Sequence, residues 1–326
     1  MKAFVRCPAR FAAVGLFLCL AFQLPVNAQV YPSKPVRLVA PNPPGGAIDT
    51  LAHLLSSQLH PIWNQPVVVE YKPGANTIIG TDYVAKSAPD GHTLGMVVAS
   101  HVINPSMQTK MPYDTVKDLA GVTLTAVTTI LLSAAPSLEA NSLPELIALA
   151  KRNPGKLSYA SPASGSAPHL AVELLKLMTG ADIVHVPYKG AAAAYPDVMS
   201  GRVHLLFDPI FGSMAQVKAG KLKPLAVTSP KRWAAAPDIP AIAETVQGFS
   251  VYSINGSVVP AATPRELVRR ISRDFATALA VPALRTRMGE IGLVPVGNTP
   301  DEFDAFVRSE IEKWAKVVKF AKLKND

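Results

Sequence analysis

The sequence predicts an α/β protein of two lobes, each a mostly parallel sheet flanked by helices, with two crossovers of the chain between them. From Lys34 onward, short β-rich runs alternate with helical stretches, a pattern typical of parallel sheets with right-handed crossovers. The same alternation restarts after Val122, and the chain ends in long amphipathic helices with no sheet of their own. Because those helices must cover a sheet elsewhere, we expect them to return to the first lobe.

The composition is that of a globular protein. The chain has 326 residues, of which 49% are hydrophobic and 17% are charged. Its 30 prolines are dispersed, so they separate many short elements and do not form a disordered tract. Disordered, collagen-like, coiled-coil and disulfide-scaffold proteins are therefore excluded, and the length favours two domains.

The N-terminus has the features of a secretory signal peptide. Lys2, Arg6 and Arg10 precede an uninterrupted apolar run over residues 11–22, and small residues lead to a cleavage site after Ala28. The alternative is a membrane anchor, but this run is shorter than the ~20 residues that a helix needs to cross a bilayer. We therefore predict that residues 1–28 are removed on export and that the mature chain is soluble in the periplasm.

Removal of this segment changes the chemistry of the chain. Cys7 and Cys19 are the only cysteines, so the mature protein has no disulfide, thiol chemistry or cysteine-based metal site. Three of the 32 basic residues leave as well, which gives 29 against 23 acidic residues and a net charge of +6. That weak field favours anions. The lysines near the C-terminus have helical spacing, which indicates a solvated helix face and no nucleic-acid partner: Lys313, Lys316, Lys319, Lys322 and Lys324.

The first lobe begins with three predicted strands and two helices. The strands cover residues 35–40, 66–70 and 93–99. The first helix has Ile48 at the start of its apolar face and is expected to stop at Pro61, and the second covers residues 77–87.

The second lobe repeats this organisation. Its strands are predicted over residues 157–161, 183–186, 203–207 and 225–228, as a parallel sheet. One helix opens at a Ser142–Glu145 capping box, another covers residues 168–178 and ends at Gly180, and a third over residues 191–200 is interrupted at Pro196.

Two extended runs, residues 122–133 and 251–259, are the expected hinge strands. The last helix covers residues 300–320. The predicted domains are therefore 29–126 plus 253–326 for lobe 1 and 127–252 for lobe 2. Two such lobes place a cleft at the carboxyl ends of both sheets, where ligands of open α/β folds bind.

Three loops of similar composition follow strands and precede helices. They are the segments Pro43-Pro44-Gly45-Gly46, 162–167 and Tyr188-Lys189-Gly190-Ala191. Helix N-termini present unpaired N–H groups and a partial positive charge, and glycines such as Gly165 let the backbone approach a ligand closely. In the second loop, Ala163 is followed by Ser164 and Ser166, which add hydroxyl donors. Loops of this kind from opposite lobes can hold a carboxylate without an arginine.

Five further residues are candidates for the cleft, each with a structural alternative. Asp49 either stabilises a helix dipole or contacts the ligand, and His169 is either a satisfied buried histidine or a ligand contact. Lys189 either pairs with an anion or is solvated. Asp208 either caps a helix or contacts a substrate ammonium group or a bound water, and Ser100 is a candidate for the cleft wall.

Motifs of the common enzyme classes are absent from the sequence. There is no Gly-x-Ser-x-Gly elbow, His-Glu-x-x-His, Walker loop or Gly-x-Gly-x-x-Gly, and the seven histidines lack metal-ligand spacing. Ser166 and His169 form a conceivable nucleophile and base, but no residue is evident that would orient the imidazole. We predict no catalytic residue, metal or cofactor, and a hydrolase is the weaker alternative.

Motifs throughout the mature chain resemble those of the Bug family of solute receptors of tripartite tricarboxylate transporters, which are TctC-like proteins. They are YPSKPVRLVAP (31–41), PPGG (43–46) with Asp49, EYKPGA (70–75), APDGHTL (88–94), MPYD (111–114), GKLSYA (155–160), PHLAVEL (168–174), HVPYKG (185–190), GKLKPLAVTS (220–229) and Lys313-Trp314.

The resemblance implies a receptor of type II periplasmic-binding-protein-like fold that closes on a small organic carboxylate and delivers it to membrane permease subunits. It also implies that backbone amides, hydroxyls and bridging waters hold the carboxylate. The implied residues are Pro43, Gly45, Gly46 and Asp49 in one lobe, and Ala163, Ser164, Gly165, Ser166, His169, Lys189, Gly190, Ala191 and Asp208 in the other.

The chain also departs from the family pattern. Asn42 stands where many relatives have Phe, Asn76-Thr77 where they have Gly-Gly, Ile254 where Trp is common, and Pro162-Ala163 in place of a glycine-rich stretch. A dicarboxylate, a tricarboxylate, an amino acid, nicotinate and an aromatic acid all stay open as ligands. We expect a monomeric receptor, and the alternative is a diverged sensor or scaffold without a transport role.

Overall fold

The computed structural model describes residues 1, 3 and 31–323. The predicted signal peptide, except for residues 1 and 3, lies outside the described residues. The strands, in chain order, are β1 (Val36–Ala40), β2 (Val67–Tyr71), β3 (Thr93–Val98), β4 (Leu119–Thr128), β5 (Ile130–Ala134), β6 (Leu157–Ser161), β7 (Ile183–Pro187), β8 (Leu205–Pro209), β9 (Lys223–Val227), β10 (Ser253–Pro260) and β11 (Val294–Pro295).

The helices alternate with these strands over most of the chain. They are α1 (Ala47–Trp63), α2 (Ile78–Ala85), α3 (Ser100–Met107), α4 (Leu143–Arg152), α5 (Ala167–Thr179), α6 (Ala191–Met199), α7 (Ile210–Lys218), α8 (Arg265–Ala280), α9 (Pro282–Glu290) and α10 (Pro300–Phe320). Within the described ranges, none of these helices combines the length and the apolar character needed to span a bilayer.

The strands form two sheets, one in each lobe. The order in lobe 1 is β11-β4-β10-β3-β1-β2, in which β10 and β11 run against their neighbours. The order in lobe 2 is β7-β6-β8-β5-β9, in which β5 runs against both neighbours. The prediction of two lobes with mostly parallel sheets is confirmed. The exact domain boundaries at 126/127 and 252/253 stay a prediction.

The second sheet was predicted to be parallel, but it contains one antiparallel strand. The four strands predicted for it run in one direction, but β5 inserts between β8 and β9 in the opposite direction. The reason is that the extended run predicted as one hinge strand divides at Thr129, so that its first part joins lobe 1 and its second part joins lobe 2. The third of the predicted strands also lies two residues later, as Leu205–Pro209.

Buried hydroxyl groups connect the two chain crossings to each other on the lobe 2 side. Thr129 Oγ1 lies 3.0 Å from Ser229 Oγ, and the N–H of Ile130 donates to Thr228 Oγ1 at 3.0 Å. The N–H of Val251 donates to the carbonyl of Thr228 at 2.9 Å. Both chain crossings are therefore fixed to each other by hydrogen bonds with no exposed partner.

Two prolines that were predicted to end or interrupt helices do neither. Pro61 lies inside α1, which ends at Trp63, because the buried Trp63 donates from Nε1 to Asp274 Oδ2 at 2.7 Å and fixes the last turn. Pro196 lies inside α6, whose Ala194 and Val198 are buried. In each case proline removes one backbone donor, and the buried contacts offset that loss.

The C-terminal helix α10 covers the first sheet, as predicted, and also contacts α5 of lobe 2. Phe303 packs on glycines of β4 and β10, and a Cβ atom at Gly121 would lie 2.8 Å from Phe303 Cδ1. Lys313 is a correction to the predicted solvated face. Its amine is partly buried and donates to the carbonyl of Ser250 at 3.1 Å and to Glu310, and burial lowers its pKa.

Candidate functional site

The loop between β1 and α1 lies at the carboxyl end of the first sheet and is exposed. Pro43, Gly45 and Gly46 are all exposed, and no side chain caps the first turn of α1. Gly45 has a φ of +95°, which a residue with a side chain would adopt only with strain. Because a Cβ atom at Gly45 or Gly46 would meet no atom within 4 Å, the space over this helix terminus is open.

Asp49 lies in the first turn of α1 and organises this loop. Its Oδ2 accepts from the N–H of Gly45 at 2.8 Å, and its Oδ1 accepts from the Tyr71 hydroxyl of β2 at 2.5 Å. The hydrogen bond from Tyr71, followed by that from Gly45, lowers the pKa of Asp49. Both carboxylate oxygens are thus engaged within the protein, which favours a positioning role over direct contact with an anion.

The loop between β6 and α5 is closed by its own hydrogen bonds. The Ser166 hydroxyl donates to the carbonyl of Ala163 at 2.6 Å and accepts from the N–H of His169 at 3.4 Å as the N-cap of α5. The N–H of Gly165 donates to His169 Nδ1 at 2.9 Å. Ser164 is exposed. Since the Ser166 hydroxyl and the Gly165 N–H both have partners in the loop, the role predicted for Ser166 as a free donor does not match its observed hydrogen bonds.

The loop between β7 and α6 joins the previous one. The N–H of Gly190 donates to the carbonyl of Pro162 at 2.8 Å, and Gly190 has a φ of +94°. Lys189 is exposed, and Ala191 begins α6, whose first turn has no side-chain cap. The structure therefore brings the two predicted loops of lobe 2 together and leaves the N-terminus of α6 uncapped.

Asp208 lies within β8 and is buried. Its Oδ2 accepts from the Tyr195 hydroxyl and from Ser213 Oγ, both at 3.1 Å. Burial raises the pKa of Asp208 to about 6, although these two hydrogen bonds act in the opposite direction. The first turn of α7 has no side-chain cap, so Asp208 does not cap that helix.

Ser100 is buried at the start of α3, and its Oγ lies 2.6 Å from Thr77 Oγ1. It therefore supports the loop that follows β2.

A polar cluster lies beneath the lobe 2 loops, and only His169 among its members was a candidate from the sequence. His185 of β7 stacks on His169, Ser161 Oγ lies 2.7 Å from His185 Nε2, and the Tyr159 hydroxyl donates to Glu173 Oε1 at 2.8 Å. Burial lowers the pKa of both histidines to about 4. The alternation of side chains in β7, which places His185 on one face with Ile183, was the signal that could have identified it.

The arrangement suits an anion more than it suits catalysis. The uncapped N-termini of α1 and α6 belong to different lobes, and each presents backbone N–H groups with a partial positive charge. Among residues 31–323, no group of three or more His, Asp or Glu side chains is placed to hold a metal ion.

A two-lobed α/β fold with open helix N-termini at the carboxyl ends of its sheets is that of the periplasmic solute-binding proteins. The model of the tripartite tricarboxylate transporter family receptor matches residues 51–323, and the chain belongs to this family. This is a family of transporter receptors, and its solved relative BugD is a periplasmic binding protein.

Three relatives illustrate the similarity. Protein BugT of Bordetella pertussis is 35% identical over 312 residues, which are 94% of this chain and 96% of BugT. Rpa4515 of R. palustris, solved with adipate, is 36% identical with a TM-score of 0.77, over 90% of this chain and 100% of that one. The periplasmic binding protein BugD is 31% identical with a TM-score of 0.74, over the same shares.

Proposed function

We propose that this chain is an exported, non-catalytic receptor that binds a small organic carboxylate between its lobes and delivers it to a tripartite tricarboxylate-type permease. The mature protein acts as a monomer in the periplasm. Family membership supports the receptor role, and the adipate bound to Rpa4515 supports a carboxylate as the ligand.

The observation that carries the proposal is the pair of uncapped helix N-termini, α1 in lobe 1 and α6 in lobe 2. Their first turns contain backbone donors that no side chain satisfies, whereas Ser166 caps α5. An anion between the lobes would complete both termini at once, and it would be held without any arginine.

A thermal-shift screen of organic acids tests the binding role, because a ligand that binds only the folded protein raises its melting temperature. We expect one or more carboxylates to raise it and uncharged amides of the same acids to have no effect. A screen in which no acid shifts the melting temperature contradicts the proposal.

A pair of glycine variants tests the location of the site. Gly46→Leu places a side chain in the open space over α1, and Gly289→Leu places the same side chain in the open space beside α9. Both variants should fold with nearly unchanged melting temperatures. We expect Gly46→Leu to abolish the ligand-induced shift and Gly289→Leu to retain it, and equal shifts in both would contradict the assignment.

Affinity capture from membranes tests the transport role. The tagged mature protein, loaded with the acid found in the screen, should retain permease subunits of the tripartite type. Capture of a sensor kinase instead would favour the sensor alternative.

A further inference from the structure

The two ends of α10 carry opposite net charges. Residues 300–312 include five acidic side chains, whereas residues 313–323 include four lysines and no acidic residue. Lys313 is paired with Glu310. Lys316, Lys319 and Lys322 are exposed, and none of them belongs to an ion pair among residues 31–323. These three lysines are therefore cations that no carboxylate in the described part of the chain neutralises.

Two of these lysines share one side of the helix with an exposed aromatic ring. Lys316, Lys319 and Phe320 are three or four residues apart, which places them side by side on α10. Phe320 is 46% exposed. The helix dipole stabilises a cation in the last turn, such as Lys319, but it does not account for the apolar surface beside it. Basic side chains next to exposed apolar ones are the composition of helices that lie on membranes.

An apolar groove lies beside these lysines and has a volume of about 530 Å³. Pro105 of α3, Val318 of α10 and Leu323, which follows α10, supply its apolar walls. Lys319 and Lys322 also line the groove, and both are exposed. The groove therefore offers an apolar space whose border is positively charged, which suits a ligand with an aliphatic part and an anionic head.

We propose that the surface formed by Lys316, Lys319, Phe320, Lys322 and this groove (the α10 face) docks reversibly on an anionic phospholipid membrane. The lysine amines would meet the lipid phosphate groups, while Phe320 and the groove would take up apolar parts of the lipid. Three lysines at an anionic surface together raise the affinity about 100-fold. The net positive charge of the mature chain adds to this attraction.

A membrane fits the α10 face better than an acidic protein surface does. The unpaired cations of this face are all lysines, whose ammonium groups are point charges on flexible stems. Protein interfaces favour arginine and are depleted in lysine, because the planar guanidinium matches a carboxylate in a fixed geometry. A layer of mobile lipid phosphates requires no such fixed geometry. The proposal goes beyond the receptor function and does not depend on which acid is bound.

Flotation of the untagged mature protein with protein-free vesicles tests the proposal. One set of vesicles contains phosphatidylglycerol mixed with phosphatidylcholine, and the other contains phosphatidylcholine alone. We expect the protein to float with the first set at low salt and to stay in solution with the second. High salt should weaken the binding strongly, because it screens the attraction between exposed charges.

A triple charge reversal tests whether the α10 face is the surface that binds. Lys316→Glu, Lys319→Glu and Lys322→Glu together should weaken binding to the phosphatidylglycerol vesicles about 100-fold or more. The matched control reverses three exposed lysines of lobe 2, Lys151, Lys156 and Lys221, and changes the net charge by the same amount. It should lose less than about tenfold, because charges far from the contact are screened.

A second pair of variants tests the apolar part of the contact without changing the charge. Phe320→Ser should weaken binding about tenfold, because its ring no longer enters the lipid. Phe211→Ser removes a ring of similar exposure from α7 of lobe 2 and should bind as the wild type does. All these substitutions are at exposed positions, so thermal melts should show folded proteins in every case.

Four results would overturn the proposal, and none of them affects the receptor function. The first is the absence of binding to phosphatidylglycerol vesicles at low salt. The second is an equal loss in both triple variants, since net charge alone would then explain the binding. The third is unaltered binding by Phe320→Ser. The fourth is binding to vesicles of native membranes but not to protein-free vesicles, which would assign the α10 face to a protein partner.

Discussion

His169 and His185 stack with their ring centroids 3.8 Å apart, and the planes of the two rings differ by only 12°. His169 Nδ1 also accepts a hydrogen bond from the N–H of Gly165 in the loop before α5. The stack therefore connects β7 to the loop that begins α5. Protonation is disfavoured there, because two adjacent cations would repel each other and Nδ1 of His169 must stay unprotonated to accept the N–H of Gly165.

This stack predicts a loss of stability in mild acid. The folded-state pKa of each histidine is lowered to about 4, whereas an unfolded histidine has a pKa near 6.5. Between these values the unfolded chain binds more protons, so the free energy of unfolding falls as the pH falls from about 6.5 to 4. Urea unfolding at a series of pH values measures this slope.

The variant His185→Phe isolates the contribution of one ring. It keeps an aromatic ring on His169 and removes one titrating group, so its stability should depend less on pH, by about 1 kcal/mol per pH unit. Identical pH slopes for the wild type and the variant would rule out this account.

Asp208 is expected to oppose the fold when it is ionised. Its folded-state pKa is raised to about 6, so its contribution to stability is present at low pH and is lost as the pH rises from about 4 to 6. Asp208→Asn keeps one acceptor oxygen for the hydroxyls of Tyr195 and Ser213 and removes the buried charge. The variant should be about 2–3 kcal/mol more stable than the wild type at pH 7 and about equally stable at pH 4. A variant that is less stable at pH 7 would show that the charge has a partner.

Tyr71 is expected to matter for binding through Asp49. Tyr71→Phe removes the hydroxyl that donates to Asp49 Oδ1 and leaves the ring in place. Stability should fall slightly, and the loop that contains Gly45 should lose part of its order, so affinity for the acid should fall several-fold. Calorimetry measures this affinity. The control is Tyr83→Phe, which removes a hydroxyl that accepts from Arg37 on the same lobe. Equal affinities in both variants would contradict the positioning role of Asp49.

Gly256 is expected to be essential for the docking of α10. A Cβ atom there would overlap the ring of Phe303, which is fully buried. Gly256→Ala should therefore lower stability by about 1–3 kcal/mol, the usual cost of overpacking a core. Gly289→Ala, which meets open space inside α9, should be neutral or slightly stabilising, and denaturant melts compare the two. Two equally stable variants would show that α10 can shift.

Local signals predicted the regular elements well. The last helix was expected over residues 300–320 and is Pro300–Phe320, because Thr299 and Glu302 form a capping box and the apolar face is buried. The helix that ends at Gly180 is another example, since its C-cap needs a positive φ, which is 71° at this glycine. Both signals lie within a few residues of the element that they define.

The contacts within the site could not be predicted in this way. Tyr71 reaches Asp49 from a different strand, and Asn104 reaches Asn76 from a different helix. In the left-handed segment Ala75-Asn76-Thr77, only Asn76 is of a residue type that favours the left-handed conformation, and the conformation of the whole turn depends on α3. The engagement of the Ser166 hydroxyl with Ala163 likewise depends on the curvature of the loop.

The C-terminal helix has a mechanical consequence. Near its start, α10 is anchored to the first sheet by Phe303, and further along Lys313 binds the carbonyl of Ser250 while the helix also contacts α5. Because α10 also packs along α3 of lobe 1, a rotation of one lobe against the other would leave this helix on lobe 1 and move α5 and Ser250 past it. The contact between the Lys313 amine and the carbonyl of Ser250 would therefore change with the angle between the lobes.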